Sequence, residues 1–132
     1  MKLNHIGIAV EDLDAARRLY GEVLGCKVGE PEELPERKLK VCLVDVGGAN
    51  VELLYPTDPD SAVGKFLAKK GPGIHHLCYE VEDVQAKLDS LKAAGARLLD
   101  EKPKPGAHNT LVAFIHPRSV GGVLTELCQP AQ

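Results

Sequence analysis

HIGIAVEDLDAARRLYGEVLGCKV (residues 5–28) and HLCYEVEDVQAKLDSLKAAGARLL (residues 76–99) are two versions of one text. His5 falls on His76, Val10 on Val81, Glu11-Asp12 on Glu82-Asp83 and Ala15 on Ala86; with one residue dropped, Gly25 falls on Gly95. The halves also close alike. VELLYP (51–56) matches TELCQP (125–130), aligning Glu52 with Glu126, Leu53 with Leu127 and Pro56 with Pro130. Matches at both ends, in the same order, define a duplication of about 60 residues.

Each half reads as a strand, a helix and three strands. In the first, Leu3–Val10 alternates, with Ile6, Ile8 and Val10 on one face and His5, Gly7 and Ala9 on the other. Asp12 is the predicted N-cap of a helix through Leu24, with an apolar stripe of Leu13, Ala16, Leu19, Tyr20 and Val23, and Gly25 is its stop. CKVGEPEELPE reads as a short strand and a Pro/Glu-rich loop, followed by strands over Leu39–Val46 and Ala49–Tyr55. The second half copies this plan: strand Ile74–Val81, helix Val84–Ala94, a strand near Arg97–Asp100, and strands Thr110–His116 and Val123–Gln129. DPDSAVGKFLAKKGPG, between them, reads as a capped helix. The predicted organisation is one domain: module one 1–57, linker helix 58–72 and module two 73–132. The fold class is α+β. Two tandem βαβββ modules are expected to form one curved eight-stranded mixed sheet around a metal site, with the helices outside.

Composition narrows the function classes. The hydrophobic share of 44% and charged share of 27% are those of an ordinary globular domain. No apolar stretch approaches the roughly 20 residues of a membrane span, and MKLNHIGIAV does not fit a secretory signal. A net charge of −3 argues against a broad nucleic-acid surface. Cys26, Cys42, Cys78 and Cys128 are scattered without a C-x-x-C, so they read as small hydrophobes in a reducing, cytoplasmic compartment.

The duplication also decides between two adjacent histidines. His75 and His76 point to opposite faces of a strand, and only His76 is in register with His5. His75 is expected on the helix side or in a hydrogen bond. Glu52 and Glu126 each interrupt an otherwise apolar strand, where a bare carboxylate costs several kcal/mol or more. Two imidazoles and two carboxylates related by a pseudo-twofold axis suit a divalent transition metal. A single strand His or Glu is more often a satisfied core or edge residue; the four in joint register outweigh that reading. Lys65, Lys69 and Lys70 on the linker helix are candidates for phosphate contact against a plain solvated face, and His108 and His116 are secondary candidates for touching substrate.

HIGIAVEDL, VELLYP, GIHHLCYEVEDV and FIHPRSVGGVLTELCQP, with the duplication, resemble the vicinal-oxygen-chelate (glyoxalase/bleomycin-resistance-like) superfamily. Within it, PEELPERK (31–38) and KPKPGAHN (102–109) followed by HPRS (116–119) are most similar to the methylmalonyl-CoA epimerase branch. The resemblance runs almost end to end. It implies metal-dependent epimerisation of methylmalonyl-CoA between its C2 stereoisomers, by proton abstraction and an enolate. It places the metal ligands on His5, His76 and Glu126, with Glu52 at a fourth position that is Gln in some epimerases. Some members carry a further Glu, proposed as a base, on the third strand of the first half; that position is Val41 here.

One divalent ion per chain is implied (cobalt, manganese, zinc, nickel or magnesium). The twofold symmetry, separately, suggests Glu126 and Glu52 as the proton-transfer groups, one on each face of the substrate, with a single base and an exchangeable intermediate as the alternative. Lys65, Lys69, Lys70, His116, Arg118 and Ser119 are the expected substrate contacts, with Lys102 and Lys104 as alternatives for the CoA phosphates. A homodimer is expected, with no nucleic-acid or membrane partner. The competing readings are a glyoxalase I-type lyase, an iron extradiol dioxygenase (which the additional Glu52 argues against) and a non-catalytic small-molecule-binding protein of the same fold.

Overall fold

The computed structural model describes residues 1–130. The chain divides into two compact units, residues 5–75 and residues from 76 onward together with Met1–Asn4.

In the unit of residues 5–75 the strands run in the order β2 (Lys27–Val28), β4 (Leu39–Asp45), β5 (Asn50–Pro56) and β1 (Lys2–Ala9, from His5 on). β4 and β5 pair antiparallel, whereas β1 and β5 pair parallel with Gly7 opposite Glu52. The sheet is therefore mixed. β3 (Glu32–Leu34) is an addition to the sequence reading, which made this segment loop; it pairs antiparallel with the start of β4, on the edge that β2 occupies further along. Its charged, three-residue run has the character of a protected edge rather than of a core strand.

Asp12 caps α1 (Leu13–Arg18), accepting from the Ala15 N–H at 2.9 Å. The helix then widens into a π-turn over Leu19–Val23, with the Leu24 N–H donating to the Leu19 carbonyl. This corrects the predicted apolar stripe. One extra residue in a turn rotates the following side chains about the axis, so Tyr20 packs inward while Leu19 and Val23 face solvent. Val10, Leu13, Cys42, Val44, Val51 and Leu53 form the core under α1, with Ile8 and Ala16 against them. Strand alternation then puts His5, Gly7 and Glu52 on the opposite face.

α2 (Ala62–Lys70) is capped by Ser61, whose Oγ accepts from the Gly64 N–H at 3.1 Å. Ahead of it Asp58 accepts from the Asp60 N–H and pairs with Lys38 at 3.3 Å, and both hold its carboxyl below the usual range. Gly64 is required by close approach: a Cβ there would stand 2.6 Å from the Pro59 carbonyl oxygen.

The second unit repeats the plan. The strand order is β6 (Gly73–Glu80, from His76 on), β9 (Thr125–Pro130), β8 (Thr110–Ile115) and β7 (Lys104–Pro105). β6 and β9 pair parallel with Cys78 opposite Glu126, and β8 pairs antiparallel with both β9 and β7. Asp83 caps α3 (Val84–Ala93) with φ −144° and ψ 104°, against −141° and 104° at Asp12. Val84, Leu88, Ala113, Ile115 and Leu127 form the core beneath α3.

The strand expected near Arg97–Asp100 is reduced to one bridge, Leu98 with Ile115. The Asp100 carboxylate accepts from the Phe114 N–H at 2.8 Å, so a side chain takes the donor that a neighbouring strand's carbonyl would use. β7 and β8 are joined through His108 and Asn109, both left-handed at φ 57° and 56°, as a tight primed turn requires.

Candidate functional site

Each unit carries one buried histidine facing one buried glutamate. In the first, His5 comes from β1 and Glu52 from β5, with Nε2 and Oε1 3.5 Å apart. The parallel register sets Glu52 beside Gly7, one step along the same face from His5. In the second, His76 of β6 and Glu126 of β9 stand 3.0 Å apart through the same atoms. His76 is 1% exposed and Glu126 3%. Both pairs occupy matching positions of the duplicated text, on the sheet face away from the helix.

His75 points elsewhere. Its ring meets Phe66 of α2 edge-on, with centroids 5.0 Å apart, and the Lys70 ammonium lies 5.7 Å from the centre of the Phe66 ring. The expected separation of the two neighbouring histidines holds.

Glu126 has companions that sequence reasoning did not assign to it. Cys78 is its direct strand neighbour and fully buried, packed with Val112 and Cys128. A hydrogen bond with Cys128, burial and the neighbouring Glu126 charge push the Cys78 thiol far above its usual range, so it stays protonated. Phe114 lies opposite Glu126 on β8 and meets His76 edge-on at 5.6 Å. The Lys104 ammonium sits 5.3 Å from the centre of that Phe114 ring and 3.2 Å from Asp100. Alternation in TLVAFI places Phe114 with Val112, but only the strand register brings it to Glu126.

The expected substrate contacts fall in two groups. Lys65, Lys69 and Lys70 are exposed on α2 of the first unit. His116, Arg118 and Ser119 belong to the second unit, around a 3-10 turn over Pro117–Ser119. There the His116 Nδ1 accepts from the Arg118 N–H at 3.1 Å, and the Ser119 Oγ accepts from the Arg97 N–H at 2.8 Å. The His116 proton therefore resides on Nε2 when the ring is neutral.

The donors fit a divalent metal by their chemistry: imidazole nitrogen and carboxylate oxygen, held out of water in strands that otherwise bury hydrocarbon. Val41 is 1% exposed beside Leu54, so β4 adds no carboxylate at that place.

Residues 4–114 match the family model of the glyoxalase/bleomycin resistance protein/dioxygenase superfamily, and the chain belongs to that superfamily. Five relatives at 41–46% identity are named as epimerases of methylmalonyl-CoA, and two at 28–29% as probable lactoylglutathione lyases. The chain is 45% identical over 130 residues to the ethylmalonyl-CoA/methylmalonyl-CoA epimerase of Cereibacter sphaeroides, covering 97% of each. It is 46% identical over 129 residues to the mitochondrial methylmalonyl-CoA epimerase of Bos taurus, covering 97% of this chain and 74% of that one. Among solved structures, a Streptomyces coelicolor methylmalonyl-CoA epimerase variant in complex with 2-nitronate-propionyl-CoA superposes with a TM-score of 0.95 at 36% identity, covering 100% of this chain and 99% of that one.

Proposed function

We propose that this protein epimerises methylmalonyl-CoA at C2, using one divalent ion per chain with His5, His76, Glu126 and Glu52 as its ligands. The observation that carries the reading is the repetition of one buried His–Glu pair at matching positions of both modules. Near full-length similarity to named epimerases supports the substrate.

The reaction removes the C2 proton and returns it to the opposite face of a planar enolate. When bound, the ion offsets the negative charge that develops on the substrate's carbonyl oxygens. The proton is moved by the chain. Glu52 and Glu126, one from each module, serve as a base on one face and an acid on the other, exchanging roles with the direction of reaction. Their burial keeps water from competing for the proton. His5 and His76 would hold the metal and orient their partner carboxylates.

The CoA phosphates meet Lys65, Lys69 and Lys70. All three are exposed, with Lys70 over the Phe66 ring, whereas the Lys104 ammonium is already paired with the Asp100 carboxylate. His116 presents its Nε2–H, with Arg118 and Ser119 beside it, to the acyl end. A homodimer in the cytoplasm completes the reading; no helix among the described residues is long and apolar enough to cross a membrane.

The test is incubation of the metal-loaded protein with one stereoisomer of methylmalonyl-CoA in deuterium oxide. Deuterium should enter C2 while the opposite isomer accumulates, and chelation should stop both. Turnover of a glutathione hemithioacetal with no exchange at C2 would instead establish the lyase.

A further inference from the structure

The two modules differ at the residue lying beside each glutamate. Glu52 has Gly7 as its neighbour on the parallel strand, and Glu126 has Cys78. In the duplicated text these neighbours are the same position. On the parallel strand, therefore, one glutamate has a bare glycine beside it and the other a thiol.

We propose that Cys78 is a positioning residue for Glu126, its thiol holding the carboxylate in a single orientation toward His76. Directly opposed residues on paired strands carry their side chains within contact distance, and the Cys78 sulfur and a Glu126 carboxylate oxygen lie within 4.8 Å of one another. Val112 and Cys128 close the space behind Cys78, which is 0% exposed, so the sulfur has little freedom to withdraw. A thiol suits the role because it is a weak donor. It orients a carboxylate without drawing off much of the electron density that the carboxylate needs to bind a metal or accept a proton. No such brace acts on Glu52 from Gly7. The pseudo-symmetric pair is thus unequal: Glu126 has a thiol on the parallel strand at the place where Glu52 has Gly7. This rests on the assignment of both glutamates to the metal and proton chemistry proposed above.

The experiment compares wild type with Cys78→Ala, Cys78→Ser and Cys42→Ala. Cys42 is an equally buried cysteine in the core under α1, and it controls for loss of packing alone. Each protein is titrated with Co(II), its visible absorption spectrum is recorded, and kcat and KM are measured. Partners that orient a metal ligand typically contribute about 10–100-fold in affinity or activity. Cys78→Ala should lose about 10-fold in Co(II) affinity and in kcat, with KM unchanged and an altered visible band. Cys78→Ser, which restores a donor, should recover most of both, and Cys42→Ala should match wild type.

Identical Co(II) affinity and spectrum in wild type and Cys78→Ala would overturn the proposal. So would a sulfur-to-cobalt charge-transfer band in wild type that Cys78→Ala removes, because Cys78 would then be a ligand. Should Cys78→Ala fail to fold, Cys78→Ser and Cys42→Ala still decide: a serine variant no better than metal-free protein, beside a normal Cys42→Ala, overturns the orienting role. Co(II) binding and spectra do not depend on the substrate. A wild type without epimerase activity but with these cobalt differences would sink the functional reading and leave the positioning role standing.

Discussion

Glu52 and Glu126 ask to be separated by the smallest available change, carboxylate to amide. Glu126→Gln and Glu52→Gln keep size and an oxygen donor but remove the proton acceptor. General acid–base groups contribute about 10²–10⁴-fold, so each variant that retains its metal should slow epimerisation by that order. Each should still exchange the C2 proton of one stereoisomer with deuterium, without inversion, and the two should favour opposite isomers. Wild-type epimerisation by metal-loaded Glu52→Gln would leave Glu52 as a ligand alone. The cysteines give an independent check on side-chain placement. Cys42, Cys78 and Cys128 are buried, and the Cys78 thiol is held protonated far above its ordinary range, whereas Cys26 is partly exposed. Since the thiolate is the reactive form, the folded protein should react with Ellman's reagent quickly at Cys26 only, and the other three should react once denaturant is added. Fast modification at Cys78 would show that the face carrying Glu126 is open to solvent.

The secondary-structure elements were legible where side-chain pattern and capping chemistry agree. Asp12 begins its helix as read, and Asp83 and Ser61 begin the other two expected helices in the same way, because a short oxygen-bearing side chain takes a free N–H three residues on. The departures share a different origin. The π-turn at Leu19–Val23 and the Asp100 carboxylate on the Phe114 N–H are local substitutions in hydrogen bonding that leave no mark on hydropathy. β3 was hidden because it lies in a run rich in proline and glutamate with no alternation of apolar residues, and pairs with β4 over three residues only. α2 supplies the test at this scale. Alanine usually stabilises a helix interior relative to glycine, but at Gly64 a Cβ would meet carbonyl oxygens at 2.6 and 2.8 Å. Overpacking of this kind costs about 1–3 kcal/mol, so Gly64→Ala should lower stability in urea unfolding. A gain in stability would mean that the 58–61 turn relaxes freely.

At the scale of the molecule, duplication made the two buried His–Glu pairs legible without any structure. It selected His76 over His75 and joined Glu52 to Glu126, and each resulting His–Glu pair is found in contact within its own module. The unequal surroundings were not legible, because Gly7, Cys78 and Phe114 acquire their neighbours only through strand register. A metal that binds only the folded chain stabilises it by mass action, about 2.7 kcal/mol at a hundredfold excess over Kd. Exhaustive chelation should therefore abolish activity and lower Tm, and restoring about one divalent ion per chain should reverse both. An unchanged Tm alongside full activity in metal-free protein would remove the ion from the reaction.

The parallel pairing of β1 with β5, and of β6 with β9, also has a kinetic consequence. His5 meets Glu52, and His76 meets Glu126, only after a helix and several strands have been threaded between the partners. Parallel strands require such long crossovers, and contacts distant in the chain form slowly because loop closure must precede them. During refolding, α1 and α3 can gain helicity early from local contacts, while the buried pairs wait for the last long-range closure. Recovery of metal affinity should then follow the slowest refolding phase rather than the far-ultraviolet signal, making the chemistry of this protein a report on completed topology.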